Sequence, residues 1–175
     1  MAYIALGAVL ITVCSWLTIP FTVPFTMQTF AVFCILLILG GKKGTAAICL
    51  YIALGAVGVP VFSGFGSGYA HIIGPTGGYM LGFILTGVLY MIFGGAAEKK
   101  GIFFTVLVLS GGLILCYAAG TVWFVVVYGM RGESIGFFTA LALCVLPYIV
   151  PDALKMALAL YVGGRITKHF PQLKD

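Results

Sequence analysis

Long apolar runs separated by short polar or Gly/Pro-rich breaks set the pattern of this chain. Backbone groups in lipid must be satisfied within their own segment, so each run between breaks is expected to be helical. The first helix covers residues 2–18. The stretch that follows, TIPFTVPFTMQTF, sets Pro20 and Pro24 among aromatic residues, which disfavours helix and predicts a loop or re-entrant segment over residues 19–28. A second helix occupies residues 29–39, GGKKG forms a tight basic turn at 40–44, and a third helix occupies 45–57. GVPVFSGFGSGYAHIIGPTGG carries too many Gly and Pro residues for a span and reads as a long, uncharged, aromatic-dotted loop. The fourth helix covers 79–97, closed by EKKG, and the fifth covers 102–128, closed by GMRGES. The sixth runs over 135–166, with a kink or interruption expected near Pro147 and Pro151. The last two exceed a hydrocarbon core of about 30 Å and must tilt, bend or protrude. The pattern predicts an all-α polytopic membrane protein with six transmembrane helices and long outward-facing loops after helices 1 and 3. Residues 1–175 form a single membrane-embedded domain.

Composition agrees with that pattern: of 175 residues, 62% are hydrophobic and only 7% charged, which water would not keep in solution. The opening MAYIALGAVLITV lacks the basic n-region of a cleaved signal peptide, so its apolar run is read as a retained helix. Six helices put Lys42 and Lys43, Lys99 and Lys100, and Arg165, Lys168 and Lys174 on one face. The positive-inside rule makes that face cytoplasmic, with both termini on it, in a bacterial-type plasma membrane. Orientation therefore accounts for the net charge of +5, and a nucleic-acid partner has no support. No internal repeat stands out that would favour an inverted-repeat transporter. The five cysteines are scattered through apolar runs without a CxxC pair, so they read as small hydrophobes, with neither a disulfide frame nor a metal site expected.

Chemistry concentrates in LPYIVPDALKMALALY, where Asp152 and Lys155 interrupt an apolar helix. Each such charge costs roughly 2.5–3.5 kcal/mol on insertion, so the two should face a polar cavity or pair with something. A spacing of three puts them on one helix face within mutual reach. A self-neutralising lock is one reading; a ligand site is the better one, because an apolar pair would pack that face at lower cost. The chain supplies 25 aromatic residues but few polar side chains, which suits a small organic molecule in an apolar pocket. Asp152 would accept from ligand N–H groups, and Lys155 would donate to a carbonyl or carboxylate oxygen. In HIIGPTGGYMLG, Gly74, Gly77 and Gly78 permit close backbone approach, while Pro75 and Thr76 favour a turn into helix four with Thr76 as its N-cap. That helix start could receive a ligand carboxylate or urea, or the stretch is an ordinary Gly-rich turn. His71 is expected to be interfacial and structural. Gln28, with the hydroxyls of Thr22, Thr26 and Thr29, forms a candidate ligand lid. An intramembrane hydrolase built on Ser67 and His71 is a weak competitor, since the serine sits in a loop without G-x-S spacing. A purely structural membrane protein leaves Asp152 and Lys155 without a task.

PFTVPFTMQT, GVPVFSG, GPTGGYMLGF, YAAGTVW and PDALK, in that order and approximate spacing, resemble the BioY family, the biotin-binding S-components of energy-coupling-factor transporters. The resemblance covers almost the whole chain. It implies a six-helix transporter subunit, not an enzyme, that captures biotin from outside beneath the loops after helices 1 and 3. Asp152 and Lys155 match the family's polar pair at the vitamin, Gly74 to Tyr79 the loop closing the pocket, and Tyr117, Gly120 and Trp123 its fifth-helix motif. It also implies a transmembrane T-component and two ATP-binding subunits as partners, biotin as the transported ligand and no cofactor; the chain has no GxxxxGK[ST] P-loop of its own. Where the family has a small-xxx-small docking pair on helix 1, this chain has Ala8 and Thr12. It also reads P-Y-I-V-P-D where the family tends to P-F-L-P-G-D, so the bend entering the Asp152 turn is expected to differ. An S-component for riboflavin or thiamine is the alternative, although Asp beside Lys suits the thiamine cation poorly.

Overall fold

The computed structural model describes residues 1–20, 23–133 and 135–174. Helix α1 is Ala2–Trp16. The Pro-rich segment then departs from the expected all-α picture by forming a small antiparallel ribbon. Strand β1, Thr18–Ile19, pairs with β2, Phe25–Thr26, in the register Thr18 to Thr26 and Ile19 to Phe25. Thr22, named above as a lid hydroxyl, lies outside the described residues.

Helix α2 extends over Gln28–Ala56 and breaks at Gly40 (φ 81°, ψ 178°), a conformation open to glycine without steric cost. Its two arms fold back on each other. Gln28 Nε2 lies 2.6 Å from Tyr51 Oη, whereas a straight helix would separate residues 23 apart by about 34 Å. The expected five-residue GGKKG turn is thus a single-residue break, with Lys42 and Lys43 already helical. Gly41 has no room for a side chain either: a Cβ there would lie 2.4 Å from Met91 Cα.

The loop after α2 is not featureless. It holds a 3-10 turn at Ser63–Phe65 and a short helix α3, Tyr69–Ile73. Helix α4 is Gly77–Lys100 and α5 is Ile102–Met130. The last apolar run divides into α6, Phe137–Cys144, and α7, Leu146–His169, at Val145. Pro147 falls in the first turn of α7, where its missing N–H costs nothing, and Pro151 is carried inside the helix. Among the described residues, Gln28–Ala56, Gly77–Lys100, Ile102–Met130 and Phe137–His169 are long and apolar enough to cross a membrane, while Ala2–Trp16 is apolar but shorter.

The hairpin α2 forms the centre, packing on α1, α4 and α7, and α5 lies along α4. Ala8 is 2% exposed and belongs to the core, and the half-buried Thr12 donates its hydroxyl to the Ala8 carbonyl (2.9 Å). Ala8 thus faces the core and Thr12 stands at its edge, with Leu6, Val9 and Val13 on the exposed face of α1. At one end of the molecule, Lys43 Nζ donates to the carbonyls of Leu173 (3.1 Å) and Lys174 (2.7 Å), and Lys174 pairs with Glu98 at 2.8 Å. The break in α2, the end of α4 and the tail after α7 are thereby tied together.

Candidate functional site

At the opposite end of α2 the two intrahelical charges meet. Asp152 and Lys155, 4% and 6% exposed, pair at 2.8 Å across one turn of α7. Asp152 Oδ1 also accepts from the Thr29 hydroxyl (2.9 Å), and Oδ2 accepts from Tyr117 Oη (2.6 Å). Lys155 Nζ donates further to the Thr26 carbonyl (2.7 Å) and to Thr29 Oγ1 (3.3 Å), and sits 4.0 Å from the centre of the Phe25 ring. All three ammonium protons have acceptors and both carboxylate oxygens have donors, which is the condition for holding two charges out of water.

Gln28 lies one residue from this network. Its Oε1 accepts from Thr26 Oγ1 (2.9 Å) and its Nε2 donates to the fully buried Tyr51 hydroxyl. The amide therefore fixes the end of the ribbon to the returning arm of α2.

These groups form the polar wall of a cavity of about 70 Å³. The ribbon contributes Val23, Pro24 and Thr26; α4 contributes Tyr79, Met80 and Phe83; α5 contributes Cys116 and Tyr117; and Cys144 and Tyr148 close the far side. Ser63 and Thr76 reach in from the segments before α3 and α4. Tyr148 donates its hydroxyl to the Val23 carbonyl and so ties the ribbon to α7.

Of the residues singled out in the sequence, Asp152, Lys155, Gln28, Thr76, Tyr79 and Tyr117 line the cavity. Gly74, Gly77 and Trp123 stand behind its wall. Trp123 Nε1 donates to the Gly74 carbonyl (3.0 Å). A Cβ on Gly77 would lie 1.6 Å from the Ile72 carbonyl oxygen, and one on Gly78 would lie 2.3 Å from Trp123 Cβ. The GPTGG glycines thus make room for Trp123 and for the turn after α3. Thr76 occupies the N-cap position of α4, but its side chain makes no capping bond. Gly120 serves similarly, since a Cβ there would lie 2.3 Å from the Tyr79 ring.

His71 lies outside this network. Its ring stacks on Phe62 at 5.1 Å, its Nε2 is buried with no hydrogen-bond partner among the described residues, and burial lowers its pKa below the usual 6.5. Among the described residues, no three His, Cys, Asp or Glu side chains gather in a metal-binding group.

Several cavity residues escaped the sequence reading. Met80 and Phe83 continue the face begun by Thr76 and Tyr79 at helical spacing, and Tyr148 lies one turn before Asp152, so periodicity marks all three. The Thr26 carbonyl carries no such mark, because a backbone acceptor leaves no trace in residue type.

The BioY family model matches residues 1–172. A probable biotin transporter BioY of Pyrococcus horikoshii is 40% identical over 144 residues, covering 82% of this chain and 80% of that protein. The biotin transporter BioY of Thermotoga maritima is 39% identical over 165 residues, covering 91% and 90%. Among solved structures, the S-component for biotin from an ECF-type ABC transporter superposes with a TM-score of 0.83 at 26% identity, covering 95% of this chain and 89% of that one. Helices of spanning length, a buried ion pair lining a cavity and near full-length agreement with these proteins converge: the chain is a multi-pass membrane protein and belongs to the BioY family.

Proposed function

We propose that this chain takes up biotin as the substrate-capturing S-component of an energy-coupling-factor transporter. The observation that carries the reading is the buried Asp152–Lys155 pair in the polar wall of a mostly apolar cavity, in a chain whose relatives are named for biotin transport. Biotin offers a ureido ring with two N–H donors and a carbonyl, an apolar bicycle and chain, and a carboxylate. Asp152 accepts from the ureido N–H groups, and Lys155 donates to an oxygen of the ligand, giving up its longest bond, the 3.3 Å contact to Thr29, to do so. Gln28, Thr76, Tyr79 and Tyr117 complete the contact surface, with Gly74, Gly77 and Trp123 holding the wall in place.

A cavity of about 70 Å³ is well below the roughly 300 Å³ at which ligand pockets begin. Entry of biotin therefore moves strands Thr18–Ile19 and Phe25–Thr26 outward, with the segment over 58–76, and both return over the ligand. The chain crosses the membrane six times: α1, the two arms of α2, α4, α5, and α6 with α7. The end gathered by Lys43, Glu98 and Lys174 faces the cytoplasm, with both termini, and the cavity opens to the outside. ATP is hydrolysed on two separate subunits, and a transmembrane T-component returns the loaded chain to a releasing state by binding its two states unequally.

The test is equilibrium binding of biotin to the purified chain, with riboflavin and thiamine as controls and Asp152→Asn and Lys155→Ala alongside. Selective biotin binding that either substitution weakens at least about tenfold, near 1.4 kcal/mol, supports the proposal. Tighter binding of riboflavin or thiamine reassigns the vitamin, and a folded chain that binds none of the three overturns the reading.

A further inference from the structure

The end of α1 is joined to the segment after α2 by three contacts. The fully buried Ser15 donates its hydroxyl to the Val61 carbonyl (2.5 Å). Trp16 Nε1 donates to the Pro60 carbonyl (3.1 Å), and its ring lies 5.0 Å from that of Phe65. Phe65 is the only non-glycine among the described residues with positive φ, at 59°, a left-handed conformation in which an L-residue's Cβ crowds the backbone. On either side the chain turns at Gly58, Gly64 and Gly68, with φ of 103°, 64° and 81°.

The segment thus has one firm anchor and one strained edge. The anchor is Phe62, fully buried with its ring against Gly55, where a Cβ would lie 2.0 Å away, and edge-on to Tyr51 at 5.5 Å. The strained edge is Phe65, 64% exposed and braced by the Trp16 ring. Ser63 reaches the cavity from between the two. A tryptophan at a helix end can serve as an interfacial anchor, but here Nε1 is spent on Pro60 and the ring covers a strained residue.

We propose that Trp16 and Phe65 form a latch that holds residues 58–68 closed over the cavity and sets how long a bound ligand is retained. Trp16 is a positioning residue, since α1 supplies no residue to the cavity lining. The latch gives the first helix control over a site it does not touch. The proposal rests on the reading of the chain as a biotin-capturing subunit.

The experiment measures dissociation of labelled biotin from the full chain in lipid nanodiscs, together with ligand-free hydrogen–deuterium exchange over 58–68. The set is wild type, Trp16→Ala, Phe65→Gly and the double variant, with Trp16→Phe keeping a ring should the alanine variant fail to fold. Trp16→Ala is expected to release biotin about tenfold faster, as loss of roughly 1.4 kcal/mol would produce, with association little changed and exchange over 58–68 accelerated. Because the ring contact that Phe65→Gly breaks is already lost in Trp16→Ala, the double variant should release no faster than Trp16→Ala. Unchanged dissociation and exchange in both single variants, or independent multiplication of their effects, overturns the latch. Wild-type chain that does not bind biotin overturns the function, and the exchange data then judge the latch by themselves.

Discussion

Tyr117 on α5 and Asp152 on α7 share a hydrogen bond of 2.6 Å, the shortest link of the carboxylate to a side chain outside its own helix. It occupies one oxygen while Lys155 and Thr29 occupy the other. Tyr117→Phe should leave Oδ2 without a donor and destabilise the chain by about 1–3 kcal/mol. A ligand N–H would restore that donor, so biotin should raise the melting temperature of the variant more than that of wild type. A smaller shift would show that the ligand does not meet Asp152 through that oxygen.

Removing one member of the Asp152–Lys155 pair strands the other. Asp152→Leu or Lys155→Met alone should destabilise by about 3–5 kcal/mol, whereas the double variant should regain much of the loss. Thermal unfolding in detergent reads the stability, and the double variant should be folded yet unable to bind biotin. Retained binding in that variant would remove the pair from the site.

Gly120 gives the Tyr79 ring its place against α5. Gly120→Ala should cost about 1–3 kcal/mol by overpacking and weaken ligand binding by displacing Tyr79. Gly164→Ala is the matching control, since a Cβ there meets nothing within 4 Å. Equal behaviour of the two variants in binding and unfolding would contradict this packing.

His71 introduces a pH dependence. Burial depresses its folded pKa below 6.5, so the unfolded or opened segment binds protons more readily than the packed one. The contribution of His71 is present in full above about pH 6.5 and is lost as pH falls through the lowered folded value. Protection factors over 58–73, which divide out the intrinsic slowing of amide exchange in acid, should fall between neutral and mildly acidic pH in wild type, and His71→Phe should flatten that response. An identical acid response in the variant would assign it to another group.

The readable parts of this site were those that violate a local rule. Asp152 and Lys155 are costly in an apolar helix, so their spacing already placed them together. Pro20 and Pro24 excluded helix from the segment that became the ribbon, but the pairing of Thr18 with Thr26 is a register, which composition does not encode. GGKKG looked like a five-residue turn because two lysines and three glycines interrupt apolar residues, yet only Gly40 leaves helical geometry, since lysine continues a helix readily. Ala8 and Thr12 were legible as small residues that permit close packing, but that Ala8 faces inward is set by the packing of α1 on α2, which the sequence of α1 alone does not carry. The glycines of GPTGG were legible as close approach but not as space for Trp123, which lies on another helix.

The contacts that tie the ribbon to α7 also set the order in which the molecule is completed during synthesis. Lys155 reaches the Thr26 carbonyl across 129 residues, and Tyr148 reaches that of Val23 across 125. Helices α1 to α5 can be inserted and packed before either partner has left the ribosome, so while they assemble the ribbon is held from α2, by the Gln28 amide on Tyr51, and not yet from α7. Contacts this distant in sequence form late, after the loops they close have been ordered. The buried ion pair and the ties from ribbon to α7 therefore arrive together, and a nascent chain stalled before that helix has the ribbon and the helices around the cavity but lacks its charged wall.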